Sequence, residues 1–400
     1  MTLLEDAGLL LEEAVDLRRR LHRKPELGLE LPETQAAVLE ALDGLPLTAD
    51  VGSSTSSVVA VLEGDREGPT ILLRGDMDAL PLHEDTGLDF ASTVDGAMHA
   101  CGHDAHTAML VGAARLLADR RADLAGRVLF MFQPGEEGFH GARFMLEEGL
   151  LDAAGGVRPT AAFAIHQTPN APPGMVTCKG GALLASADVF SIDVVGRGGH
   201  ASMPHLALDP VPVACEIVVA IQTAVTRQID AFDPAVVTVG KIRAGTTNNV
   251  IPETASVLGT IRTVSTKTRE RVQEILERLA TGIAEAHGGA ATVSFDRGYP
   301  VTVNHDPWAD TALAVAADVL GHDMALRMPA PVMGAEDFSY VLEEVPGAMV
   351  FLGTNPGGSG PAAPNHSNRM VIDESAMAAG IAMYAGMALH HLSGEADLPA

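Results

Sequence analysis

The sequence predicts an α/β protein: a central, mainly parallel sheet flanked by helices, with an inserted β-α-β-β-α-β unit of ferredoxin-like order. Short, nearly unbroken apolar runs recur along the chain, as strands buried on both faces require. Helical patterns separate those runs, which is the alternation of an α/β domain. Between about Ala187 and Phe295 the order changes to strand, helix, two strands, helix, strand, and this predicts the insertion.

Taken in chain order, residues 1–24 carry apolar positions at helical spacing and stop before Pro25. SVVAVL (57–62), TILLRG (70–75), VLFMF (128–132), AAFAI (161–165) and AMVFLG (348–353) read as strands of the sheet, and HTAMLVGAARLLADR (106–120) as a helix between them. In the insertion DVFSIDVVG is a strand, PVPVACEIVVAIQTAVTRQ a helix, and AVVTVGKIRA and ASVLGTIRT two further strands. KTRERVQEILERLATGIAEAHG is an amphipathic helix and ATVSFDRG the closing strand. Gly-rich segments, KGGALLA and RGYP, bound it. The expected division is therefore 1–184, an inserted domain 185–297, and 298–400 returning to the first domain.

The 400 residues carry 52 Asp+Glu against 26 Lys+Arg, a net charge of −26. That balance argues against nucleic acid or an anionic membrane as partner, since both need a basic patch. No stretch approaches the ~20 apolar residues of a membrane span, and the N-terminal charges run opposite to those of a secretory signal. Three cysteines, Cys101, Cys178 and Cys215, are too few and too scattered for a disulfide framework. The expectation is a soluble protein of a reducing compartment, the cytoplasm.

Five polar clusters interrupt the pattern, four of them at strand ends. TILLRG runs into Asp76 and Asp78, VLFMF into Glu136 and Glu137, AAFAI ends at His166, and AMVFLG leads through a loop to His366. The fifth, MHACGHDAHT, holds Cys101 and His103 just before a helix. Each has an ordinary explanation when taken alone. His166 could be a structural histidine, the glutamates helix-dipole partners, Cys101 a small buried apolar residue, and the aspartates turn caps. Ligands of open α/β sheets, however, bind beyond the carboxyl ends of the strands. Four strands ending in Asp, Glu and His at one edge would assemble a metal site. Imidazole, carboxylate and thiolate together suit zinc or neighbouring first-row metals, not magnesium or calcium. Adjacent glutamates on extended or turn backbone are expected to point apart, one towards metal and the other towards a reacting water.

RRRLHRKPELGLELPET, GDMDALP, MHACGHDAHTAML, QPGEEG, AIHQTP, GRGGHASMP, NNVIP, GTIRT and MGAEDFS occur in this order. Together they resemble the two-metal aminoacylase/carboxypeptidase superfamily. Within it they are most similar to the N-acyl-amino-acid amidohydrolases, which include hippurate hydrolases, auxin-conjugate hydrolases and N-acetyldiaminopimelate deacetylases. The resemblance spans nearly the whole chain. It implies Cys101, His103, Glu137, His166 and His366 as ligands of two divalent ions per subunit (zinc, manganese, cobalt or nickel). Glu136 is implied as general base and later acid, and Asp76, Asp78 and Glu336 as groups that orient the ligands. It makes the inserted domain a lid and the contact of a homodimer. On that lid His200 is implied as oxyanion donor, and Asn249 and Arg262 as partners of the substrate carboxylate.

The expected activity is hydrolysis of a small N-acyl amino acid to a carboxylic acid and a free amino acid. A dipeptidase or carboxypeptidase of the same superfamily is the nearest alternative. A cysteine hydrolase built on Cys101 with His103 or His106, and a non-catalytic metal-binding relative, are the other two.

Overall fold

In a computed structural model that describes residues 1–357 and 361–393, eight strands form one mixed sheet. Their order is Leu47–Val51, Val58–Glu63, Ala125–Gln133, Arg66–Asp76, Ala161–Thr168, Gly347–Gly353, Val176–Cys178 and Ala325–Arg327. The four strands from Ala125–Gln133 to Gly347–Gly353 run parallel. Ile71, Leu72, Leu73, Val128, Leu129 and Phe130 among them are fully buried, which is why these runs show no polar alternation. The first two strands are antiparallel additions, as is Val176–Cys178 against Gly347–Gly353. Residues 57–62 were expected among the parallel strands. Only Gly64 and Asp65 separate Val58–Glu63 from Arg66–Asp76, and so short a link reverses the chain, whereas a parallel return needs a crossover of a dozen residues or more.

This sheet belongs to the first of two units, comprising Met1–Leu183, Val303–Ala330 and the chain from Asp337. Helices Leu11–His22, His103–Asp119 and Met377–Leu392 pack on one another beside it. With aromatics at 4%, the core closes by near approach of small residues. A Cβ on Gly380 would lie 2.1 Å from the Met109 sulfur, and one on Gly112 2.7 Å from Ile381, so either addition would force the two helices apart.

The N-terminal segment forms two helices, Leu3–Leu9 and Leu11–His22, where one was expected. The second ends in a buried ionic cluster. Arg18 lies 3.1 Å from Asp104 and 2.6 Å from Glu374. His22 sits between Asp104 at 2.8 Å and Glu84 at 3.3 Å. Burial alone would lower the imidazole pKa, but its bonds to Asp104 and Glu84 push it up to about 9. Asp104 is thereby shared by two buried cations, in the first turn of the helix that begins at His103.

The second unit is Leu184–Thr302 with Pro331–Glu336. Its elements run Asp188–Val195, Pro210–Gln228, Ala235–Ala244, Thr254–Thr263, Thr266–Ala286 and Ala290–Arg297. The four long strands are antiparallel, ordered second, third, first, fourth. Asp188–Val195 alternates buried with open positions, and its buried side joins Ile217, Ile221 and Leu276 of the two helices in one core. Pro210–Gln228 is long and apolar enough to cross a membrane by length and composition, a correction to the expectation that no stretch is. Its Val213, Ala214, Ile217, Ile221 and Ala224 recur at helical spacing and are buried in this unit's core.

Because the folded pKa of His22 is raised, the stabilisation from its ring is fully present below about pH 6.5. It is lost as pH rises through about 9. His22→Ala should lower unfolding free energy at pH 7 by about 3 kcal/mol. In denaturant titrations the gap between wild type and variant should shrink above pH 9.

Candidate metal centre

The four parallel strands end along one edge of the sheet, and each delivers polar groups there. Asp76 closes Arg66–Asp76, Ala125–Gln133 leads into Glu136 and Glu137, Ala161–Thr168 carries His166, and Gly347–Gly353 leads on to His366. The fifth segment enters through Gly102, which sits in the left-handed region at φ +86° immediately before helix His103–Asp119. The helix starts at His103 and not at His106 as expected, so His103 lies in its first turn.

The structure brings the five expected ligands and Glu136 together. Ligand atoms of Cys101, His103 and His166 lie within 4.8 Å of one another, as do those of Cys101, Glu137 and His366. A third set joins His103, Glu136 and Glu137 at the same spacing. The two glutamates therefore do not point apart. Their long side chains converge from the turn after Gln133, because Asp78 accepts both backbone N–H groups, from Glu136 at 2.9 Å and Glu137 at 3.0 Å.

Tautomers decide which imidazole nitrogens carry a lone pair. His166 donates from Nδ1 to the Gln167 carbonyl at 2.7 Å, which leaves Nε2, 3.4 Å from the Cys101 sulfur, as a lone-pair donor. His106 donates from Nδ1 to Asp76 at 2.6 Å and accepts the Gln167 N–H at Nε2 at 2.8 Å. Both its nitrogens are used. A further grouping of Asp76, His103 and His106 at ligand spacing is thus excluded as a complete set. His103 is the opposite case. Both its nitrogens are buried without a hydrogen-bond partner among the described residues, and Asp78 and Asp76 stand off at 3.5 Å. Glu137 Oε1 is likewise buried, with His366 Nε2 3.3 Å away. Orphaned atoms such as the His103 nitrogens cost about 1–3 kcal/mol each unless a further group satisfies them. The donor set fits a cation.

The field has the same sense. Burial would raise the Cys101 pKa, but the charges of His166 and His103 bring it down to about 6. His366 is pushed up to about 10, first by its bond to Cys101 and then by Glu137, from which its Nε2 lies 3.3 Å. Burial works against ionisation of Glu137 too, yet the bond from His366 and the charge of His103 hold its pKa below the usual range.

Behind the ligands lies a buried polar frame. Arg74, fully buried, donates to Asp76 at 2.6 Å and to Gln133 at 2.8 Å, and lies 3.3 Å from Asp337. Asp337 also accepts from Gln133 at 2.7 Å and from the Ala142 N–H at 2.9 Å. Arg74, Gln133 and Gln167 escaped the sequence reading, and His106 entered it only as a partner for Cys101. An arginine inside the apolar run TILLRG was a readable signal, because a buried charge needs partners. Gln167 gave none.

The remaining expected residues lie on the second unit. His200, in the short strand Gly199–His200, pairs with Val250. Its Nδ1 accepts the Ser202 N–H at 3.1 Å, which puts the ring proton of the neutral form on Nε2. The Asn249 carbonyl accepts from the Ala201 N–H at 3.2 Å. Arg262 is half-buried, which pulls its pKa down. The Glu336 backbone carbonyl accepts from the Thr302 hydroxyl at 3.4 Å.

A thiolate, imidazole and carboxylate cluster beyond the carboxyl edge of a parallel sheet defines an α/β protein of the metal-dependent hydrolase type. Residues 72–390 match the family described as Peptidase family M20/M25/M40. N-acetylcysteine deacetylase of Bacillus subtilis (strain 168) is 40% identical over 342 residues, which is 85% of this chain and 88% of that protein. Thermostable carboxypeptidase 1 of Saccharolobus solfataricus is 36% identical over 94% of each chain. A crystal structure of a dinuclear metal binding peptidase of the M20 family from Bacillus subtilis superposes with a TM-score of 0.84. It is 35% identical, over 96% of this chain and 99% of that one. The chain belongs to peptidase family M20/M25/M40, and it is a hydrolase of amide bonds.

In chelator-stripped protein on a Cys215→Ser background, ultraviolet thiolate absorption should appear as pH rises through about 6. Burial pushes Cys178 up to about 12, so it stays protonated through that range. The signal should be missing in Cys101→Ser.

Proposed function

We propose that this protein hydrolyses N-acyl amino acids, releasing a carboxylic acid and a free amino acid. Cys101, His103, Glu137, His166 and His366 would hold two divalent ions, Cys101 being common to two of the ligand groupings. The buried ring of His103, with neither nitrogen hydrogen-bonded among the described residues, is the observation that carries this reading. Bound there, the ions would polarise the amide carbonyl and lower the pKa of water towards ~7. Glu136, 6% exposed and beside Glu137, takes the proton of the attacking water. The water oxygen bonds to the carbonyl carbon, the C–N bond breaks, and Glu136 returns the proton to the departing nitrogen. Asp78 keeps Glu136 and Glu137 in register by holding both backbone N–H groups.

His200, with its proton on Nε2, has the chemistry of an oxyanion donor. Arg262 and Asn249 have that of carboxylate recognition, Arg262 through a bidentate fork. Zinc and its first-row neighbours suit the thiolate. A homodimer formed through the second unit, and the cytoplasm as its location, belong to the same proposal. The deacetylase relative supports an acyl group on the substrate nitrogen. The carboxypeptidase relative, 36% identical over 94% of the chain, supports a second reading in which a peptide bond beside a free carboxylate is cut.

Released amine should be followed across acetyl, benzoyl and longer N-acyl amino acids together with dipeptides. The proposal expects turnover of acyl amino acids that chelator abolishes and added manganese or zinc restores. Activity indifferent to chelator would favour a cysteine hydrolase. Glu136→Gln should retain wild-type metal content and lose about 10²–10⁴-fold in kcat. Turnover within a few-fold of wild type would remove Glu136 as the base.

A further inference from the structure

Gln167 is fully buried one residue beyond His166, and every polar atom it has is used at the centre. Its amide nitrogen donates to the Cys101 carbonyl at 2.8 Å and to Asn365 Oδ1 at 2.7 Å. Its amide oxygen accepts the Thr354 hydroxyl at 2.7 Å. The side chain fits because Gly102 has no Cβ, which would lie 2.6 Å from Gln167 Cγ. One amide thus ties the segment of Cys101 to the loop of His366.

That loop needs the tie. His366 is one of two non-glycine residues at positive φ among the described residues, at 68°, a conformation that a side chain with a Cβ disfavours. Its side chain is 57% exposed, the most open of the five expected ligands. Its backbone N–H donates to the Ala100 carbonyl at 2.8 Å, on the Cys101 segment.

We propose that Gln167 is a positioning residue that presets the distance between Cys101 and His366, and so sets the affinity of the ion those two share with Glu137. This rests on the metal-centre reading above. Gln167→Met keeps the length of the side chain and loses all three bonds. Stripped wild type and variant would be titrated with cobalt, following the visible and thiolate-to-cobalt bands. Wild type should take up two equivalents. The variant should fill one equivalent as wild type does and bind the other about 10–100-fold more weakly, with an altered spectrum for that ion. Asn365→Ala, which removes one of the bonds from the half-buried side, should weaken the same ion and serves if Gln167→Met does not fold. A purely structural role would lower the melting temperature and leave the titration superimposable on wild type, which would overturn the proposal. A wild type that takes up no cobalt, or shows no thiolate band, would instead overturn the metal-centre reading.

Discussion

Burial of acid at one edge of a parallel sheet is the constraint on which this structure turns. Asp76, Asp78, Cys101, Glu136 and Asp337 are all nearly inaccessible to water. An uncompensated buried charge costs several kcal/mol, and a whole domain is stable by only about 5–15 kcal/mol. The surrounding residues can be read as answers to that cost. Arg74 neutralises Asp76 and lies by Asp337, and Asp78 is satisfied by two backbone N–H groups. Arg18 and His22 share Asp104 one residue beyond His103. Among the expected ligands, His103 keeps both ring nitrogens buried without a hydrogen bond within the described residues, and a cation would be held there.

Backbone, as much as side chain, sets the geometry. Residue 167 directs two imidazoles by main-chain atoms alone. Its carbonyl accepts the Nδ1–H of His166 and so places the lone pair on Nε2, while its N–H donates to Nε2 of His106 and withdraws that ring from ligation. Parallel strands make this possible, because their carboxyl ends coincide. The close packing of helices across Gly112 and Gly380 holds His103–Asp119 against that edge.

The five clusters were legible because each interrupts an apolar run with a residue type that the run does not explain, and their order carried the family resemblance. Several features were not legible. The antiparallel placing of 57–62 depends on a two-residue link, which an apolar pattern does not weigh. Divergent glutamates were inferred from backbone direction, yet side chains of that length reach past it, and Asp78 turns them to the same place. Gln167 reads as an ordinary polar residue after a strand, since its importance comes from contacts with positions 101, 354 and 365, far along the chain. Arg74 could have been found by asking what a guanidinium does inside a buried strand.

The central claim of the proposal is that divalent ions are held at the Cys101 thiolate among ligands from the ends of parallel strands. X-ray absorption and anomalous diffraction at the edge of the bound metal, on crystals of the loaded protein, test it most directly. The account predicts two anomalous peaks flanking the Cys101 sulfur, with a sulfur scatterer at about 2.3 Å if the metal is zinc. Metal away from Cys101, or a shell of nitrogen and oxygen alone, would contradict it.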